Sequence, residues 1–120
     1  MKYGTVNSLQ SPRFSGIRTF MRMENVRASE DIDFAVVGIP FDTCATYRSG
    51  ARFGPSAIRE ASALAAKPYH PELEVDIFEH CSGVDWGDVG SVPGYVEDSF
   101  SIITKEMQEI FSHGIIPIAM

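Results

Sequence analysis

The sequence predicts an open α/β fold around a mostly parallel sheet, on three observations. Residues 34–39 and 115–120 are short, continuous apolar runs, the pattern of parallel strands buried on both faces. Segments with helical apolar spacing lie between them. A long polar loop rich in glycine and charge follows the first run. In open α/β sheets ligands bind beyond the carboxyl ends of the strands, so residues 40–54 fall on the functional rim.

The elements follow in chain order. Residues 1–33 carry Arg13, Arg18, Arg22 and Arg27 among Phe14, Ile17, Phe20, Met21 and Met23, with neither alternation nor a sustained helical stripe. They are expected to form an arm lying across a body or a neighbouring subunit. Residues 34–120 are expected to form the α/β portion. The first core strand is stopped by Pro40. Gly54-Pro55 opens a helix, because the missing proline N–H is one of the orphan donors of the first turn. Its predicted buried stripe is Ala57, Ile58, Ala61, Leu64 and Ala65, and Pro68 ends it.

A wetter middle alternates at Val75 and Ile77 and again at Val84 and Trp86, which predicts two short, half-exposed strands. Residues 94–113 read as the clearest helix, with Val96, Phe100, Ile103, Met107, Ile110 and Phe111 on one face. Glu97 and Asp98 complement the dipole of its first turn, and Gly114 supplies the stop. Ile115 to Met120 is the last core strand, expected to leave an exposed apolar edge.

Composition narrows the function. The 120 residues carry 10 Lys+Arg against 16 Asp+Glu, a formal net charge of −6, which disfavours nucleic acid and anionic membrane surfaces. No stretch approaches the length needed to span a bilayer. Two cysteines, Cys44 and Cys81, are too few and too far apart for a disulfide framework or a zinc clip, and point to a reducing cytoplasm.

Within the rim, Asp42, Arg48, Arg52 and Arg59 are the charged residues. Asp42 could hold a cationic substrate or orient Arg48; alternatively these charges pair with one another and fix the loop. Arg52 and Arg59 could meet an anion at the helix start. His70, His80 and His113 lack paired metal-ligand spacing. Asp85 and Asp88, flanking Trp86-Gly87, read as turn residues. Cys44 has no histidine near it in sequence, and no serine sits in a Gly-x-Ser-x-Gly elbow.

Gly38-Ile39-Pro40-Phe41-Asp42, then Arg48-Ser49-Gly50-Ala51-Arg52-Phe53-Gly54-Pro55 and Ala57-Ile58-Arg59, resemble the N-terminal signature of the agmatinase-like branch of the arginase (ureohydrolase) family. Pro12 to Ile17 with Thr19 to Arg22, and Asp88-Val89-Gly90, are similar to the same family in the same order. The resemblance implies a three-layer α/β/α sandwich, present here incomplete. It implies a parent enzyme that releases urea from a linear guanidino compound with water bridged between two Mn²⁺ ions, and that works as a homo-oligomer.

Agmatine is the default substrate, with guanidinobutyrate and guanidinopropionate as alternatives. The family's ligand segments, Gly-Gly-Asp-His, Asp-Ala-His-x-Asp and a later Asp-x-Asp, do not occur in this sequence. The chain is therefore expected to correspond to about the first third of a ureohydrolase and to be inactive alone. It carries no assigned catalytic or metal-ligating residue; Asp42 and Arg48 are candidate substrate-entrance residues. Cys44 stands where the resemblance leads one to expect Gly or Ala. A catalytically silent assembly module and a small-anion-binding α/β domain are the other readings.

Overall fold

The computed structural model describes residues 3–28 and 30–120; Met1, Lys2 and Ser29 of the predicted arm lie outside these. Strand β1 (Phe34–Gly38) is central. On one side it pairs in parallel with β4 (Gly83–Asp88), and on the other with β5 (Ile116–Ala119). A short antiparallel ribbon of β2 (Tyr69–His70) and β3 (Val75–Asp76) stands apart from this sheet. The helices are α1 (Gly54–Ser62), α2 (Ile77–His80) and α3 (Val96–Ser112).

The apolar run of β1 has no alternation because both faces are covered. Ala35 and Val37 face the same side as Val84 and Trp86, and pack with Ile110 of α3 and with Ile115 in the main core. Val36, Gly38 and Asp85 face the other side, where α1 lies. Helices on opposite faces of a parallel sheet make the α/β/α layering. Val36, Val37 and Val84 are all essentially fully buried, each contributing about 1.5–3 kcal/mol relative to exposure.

Several expectations are corrected. β4 is a core strand, not a half-exposed one, because both faces are covered: Val84 and Trp86 pack into the main core, and Asp85 on the other face is buried against Arg59 of α1. Only Val75 of the other predicted alternation is in a strand; Ile77 starts α2, whose cap Asp76 accepts the Phe78 N–H at 2.9 Å. The buried side of α1 is Pro55, Arg59 and Ser62, while Leu64, just past the helix, is 76% exposed and Ile58 is partly so. The helix is turned by Arg59, whose charge must reach carboxylates on β4; leaving a small apolar stripe outside costs less than stranding a buried charge. On α3, Ile110 is buried, whereas Phe111 is exposed and Phe100 turns toward the rim, its ring centroid 5.5 Å from that of Phe41.

The arm closes the outer edge of β4. Asp85 donates its N–H to Glu24 at 3.0 Å, and Asn25 pairs with Asp85 as an isolated parallel bridge. Arg27 donates to the Trp86 and Asp88 carbonyls. Met21 and Arg22 both adopt positive φ, a costly conformation for side-chain-bearing residues. It is held by the buried Arg22 guanidinium, which donates to the Ser11 carbonyl at 2.9 Å and to the hydroxyls of Ser8 and Ser11. The outer edge of β5 pairs with no strand among the described residues, and Ile116 and Ile118 are exposed along it. No helix among the described residues is long and apolar enough to cross a membrane.

Candidate functional site

The chain runs from β1 outward to β4, then back across β1 to β5, so the strand order reverses between β1 and β5. Their carboxyl ends continue side by side: Met120 donates its N–H to Val37 at 2.9 Å, and Ile39 donates to Met120 at 2.7 Å. Such a switch point is where α/β sheets hold ligands, and the loop over residues 39–53 rises from it.

Asp42 organises that loop. Its carboxylate accepts the Gly50 N–H at 2.6 Å, the Arg52 Nε–H at 2.6 Å and, more weakly, the Arg52 N–H at 3.4 Å. The Arg52 guanidinium, with the Gly50 N–H, holds the Asp42 carboxyl below its ordinary value of 3.8. Only 2% of the Asp42 side chain is exposed. The pairing alternative read from the sequence is thus the one present, with Arg52 rather than Arg48 as partner. Arg48 lies exposed, its guanidinium 5.3 Å from the centre of the Tyr47 ring, with no carboxylate partner among the described residues.

Cys44 adopts φ +69°, the left-handed region that favours glycine, which gives a physical reason for a small residue there. Cys44→Gly is expected to raise stability by about 0.5–1 kcal/mol, read from the urea unfolding midpoint.

Beneath the rim lies a buried ion network that the sequence reading missed. Arg59 of α1 grips Asp85 with two parallel bonds, Nε to Oδ2 at 2.8 Å and Nη2 to Oδ1 at 3.0 Å, and reaches Asp88 with Nη1 at 2.6 Å. Asp85 also accepts the N–H groups of Phe20 from the arm (2.6 Å) and Gly87 (2.9 Å). Positions 85 and 88 would point to opposite faces of a regular strand. The β1–β4 register slips by one residue between Asp85 and Gly87, and this bulge, with Gly87 at φ +83°, brings both carboxylates to one arginine.

The Asp-x-x-Asp spacing around Trp-Gly, at a strand end opposite a helical arginine, was the available signal. Asp85 does serve the turn, through Gly87, but its main partner is Arg59. Arg52 and Arg59, the candidate anion contacts, are both committed to carboxylates. The three histidines lie on separate elements, and no group of three or more His, Cys, Asp or Glu among the described residues is placed to hold a metal ion.

Comparison with known proteins agrees with this geometry. The chain is 44% identical over 89 residues to an agmatinase of Chromobacterium violaceum, covering 72% of this chain and 27% of that protein. It is 35% identical over 114 residues to a guanidinobutyrase of Pseudomonas aeruginosa, covering 92% of this chain and 35% of that one. The crystal structure of a hypothetical agmatinase from Burkholderia thailandensis superposes with a TM-score of 0.85 at 28% identity, over 98% of this chain and 36% of the other. The chain thus spans about a third or less of the length of these proteins. The arginase family's sequence model matches residues 32–120, from the start of the core through the rim to the last strand, and the chain belongs to the arginase family.

Proposed function

We propose that the whole protein hydrolyses a linear guanidino compound to urea and an amine, and that these 120 residues supply its first core strands, one wall of the substrate entrance and the arm. Family membership, with the loop over residues 39–53 standing on the β1/β5 switch point, is the observation that carries this reading. A guanidinium is cationic, delocalised and a poor electrophile, so attack near neutral pH calls for a water of lowered pKa.

The two Mn²⁺ ions implied by the family resemblance do not fit the residues present. Asp42, Asp85 and Asp88 are engaged by arginines, and the histidines are scattered. In this reading the metal centre belongs to other sequence, and Asp85 and Asp88 build the scaffold. The protein works in the cytoplasm as a homo-oligomer.

Agmatine is the default substrate, with Asp42 and Arg48 shaping the entrance. One observation favours a second reading, a guanidino acid such as guanidinobutyrate: Asp42 is buried and already engaged by Arg52 and Gly50, whereas the exposed Arg48, without a carboxylate partner among the described residues, can face a carboxylate.

The test is urea release and Mn²⁺ binding by this chain and by any longer form of the protein. The chain is expected to do neither and the longer form both. Urea from the 120-residue chain would refute its inactivity, and a longer form inert toward agmatine, guanidinobutyrate and guanidinopropionate would refute the hydrolase reading. Arg48→Gln in the longer form is expected to lower kcat/KM for guanidinobutyrate about tenfold while sparing agmatine if the second reading holds.

A further inference from the structure

Phe100, grouped by its spacing with the apolar face of α3, is 55% exposed and turned to the rim instead. Its ring meets that of Phe41 with centroids 5.5 Å apart and planes at 56°, a tilted arrangement that attracts beyond the area it buries. Phe41 is the residue before Asp42. Its N–H donates to the Ile39 carbonyl at 2.8 Å, so the ring contact grips the loop at the tight turn by which the chain leaves β1.

Among the described residues, the hydrogen bonds and ring contacts of residues 42–52 run within the loop. Asp42 accepts from Gly50 and Arg52, the Ala45 N–H donates to the Asp42 carbonyl, the Phe53 N–H donates to the Gly50 carbonyl, and Arg48 lies over Tyr47. These bonds shape the loop without tying it to the body. Ser91, Val92 and Pro93 stand off from Phe41, Asp42 and Phe53 across a cleft of about 180 Å³, which leaves the loop room to shift. The turn of α3 that presents Phe100 is firm by contrast: Ser99 is fully buried, and its hydroxyl accepts the Val92 N–H at 2.9 Å and donates to the Tyr95 carbonyl at 2.7 Å.

We propose that Phe100 is a positioning residue for the entrance, acting through Phe41 to set where Asp42 and Arg48 stand beside the β1/β5 switch point. The inference rests on the hydrolase reading and deepens it, by naming what holds the entrance loop in place.

Cys44 is exposed within the loop, so a nitroxide attached there, in a Cys81→Ser background, reports the loop's mobility by electron paramagnetic resonance. Phe100→Ala is expected to shorten the label's correlation time about twofold, and Phe100→Tyr, which keeps a ring, to restore it. Phe111→Ala is the control, because Phe111 is an exposed ring on the same helix with no aromatic partner among the described residues. In the longer form of the protein, Phe100→Ala is expected to raise KM for the guanidino substrate about fivefold with kcat within about twofold, again restored by tyrosine. Far-ultraviolet circular dichroism checks that each variant keeps its fold; should Phe100→Ala not fold, Phe41→Leu removes the other ring and carries the comparison. A label equally mobile in the native chain and Phe100→Ala, an increase matched by Phe111→Ala, or an unchanged KM in an active longer form would overturn the proposal. A longer form inert toward every guanidino compound tested would sink the hydrolase reading instead, and the label alone would then decide whether Phe100 holds the loop.

Discussion

Asp85→Asn is expected to remove about 3–5 kcal/mol of folding stability, the scale for breaking a buried ion pair by deleting one charge. The substitution hardly changes volume, so packing is spared and the loss is electrostatic. Arg59 would stay buried beside an amide that presents donors to donors, and the Phe20 N–H would lose its charged acceptor, loosening the arm from β4. Domains of this size are stable by only about 5–15 kcal/mol in total, so the change takes a large share. The exposed pair Arg18–Glu60, in which 71% of the Glu60 side chain is accessible, supplies the control: Glu60→Gln should change stability by less than about 1 kcal/mol. Urea unfolding followed through the buried Trp86 measures both, and comparable losses for the two variants would sink the assignment of Arg59–Asp85 as the tie between arm, helix and sheet.

The same pair sets an acid limit. Burial alone would push the Asp85 carboxyl up, but the hydrogen bonds from Arg59, from Phe20 N–H and from Gly87 N–H outweigh it and leave the group below its ordinary value of 3.8. A carboxyl whose folded value is depressed contributes stability that is complete well above 3.8, declines as pH falls through that value, and is gone below the folded one. Burial alone would pull the Arg59 guanidinium down, but Asp85 and Asp88 hold it above its ordinary value, so its own titration matters only at extreme alkalinity. The native chain should therefore lose stability more steeply than Asp85→Asn as pH falls through about 4 and below, because the variant has no such proton to take up.

The parallel strands were legible because residues 34–39 and 115–120 are apolar without alternation, and periodicity together with Gly114 placed α3 within about two residues of its ends. The facing of α1 was not legible. An apolar stripe through Ala57, Ile58 and Ala61 reports which side of a helix is oily, but not that Arg59 on the other side will meet two carboxylates some 26 and 29 positions away. Likewise Val84 and Trp86 alternate with Asp85, which reads as solvent on one face; the charge is instead neutralised inside. Asp42 was recognisable as the loop's acid, but the choice between Arg48 and Arg52 as its partner depends on the turn at Gly50, where φ is +130°. Proximity along the chain could not decide it.

Gly38→Ala is expected to destabilise by about 1–3 kcal/mol, as an overpacking change at a site with no room for one methyl group. A Cβ built on Gly38 would run into Asp88 Oδ1 and lie 2.8 Å from Pro55 Cβ. Neither neighbour yields easily. The Pro55 ring is locked to the first turn of α1, and Asp88 is held by Arg59 at 2.6 Å. Either α1 lifts from β1 or Asp88 lets go of Arg59, and both move the point where β1 feeds the rim loop. Gly54→Ala separates this from a general effect of losing glycine, since a Cβ there meets nothing within 4 Å, and it should alter stability by no more than about 0.5 kcal/mol. Comparing Gly38→Ala plus Asp88→Ala with Asp88→Ala alone, which itself deprives Arg59 of a partner, divides the two contacts: disappearance of the Gly38→Ala loss in that background would assign the strain to the carboxylate, whereas its persistence would assign it to Pro55. Equal unfolding midpoints for Gly38→Ala and Gly54→Ala would show that α1 does not press on the end of β1 in solution, and the rim would then lack the rigid base from which it is argued to shape an entrance.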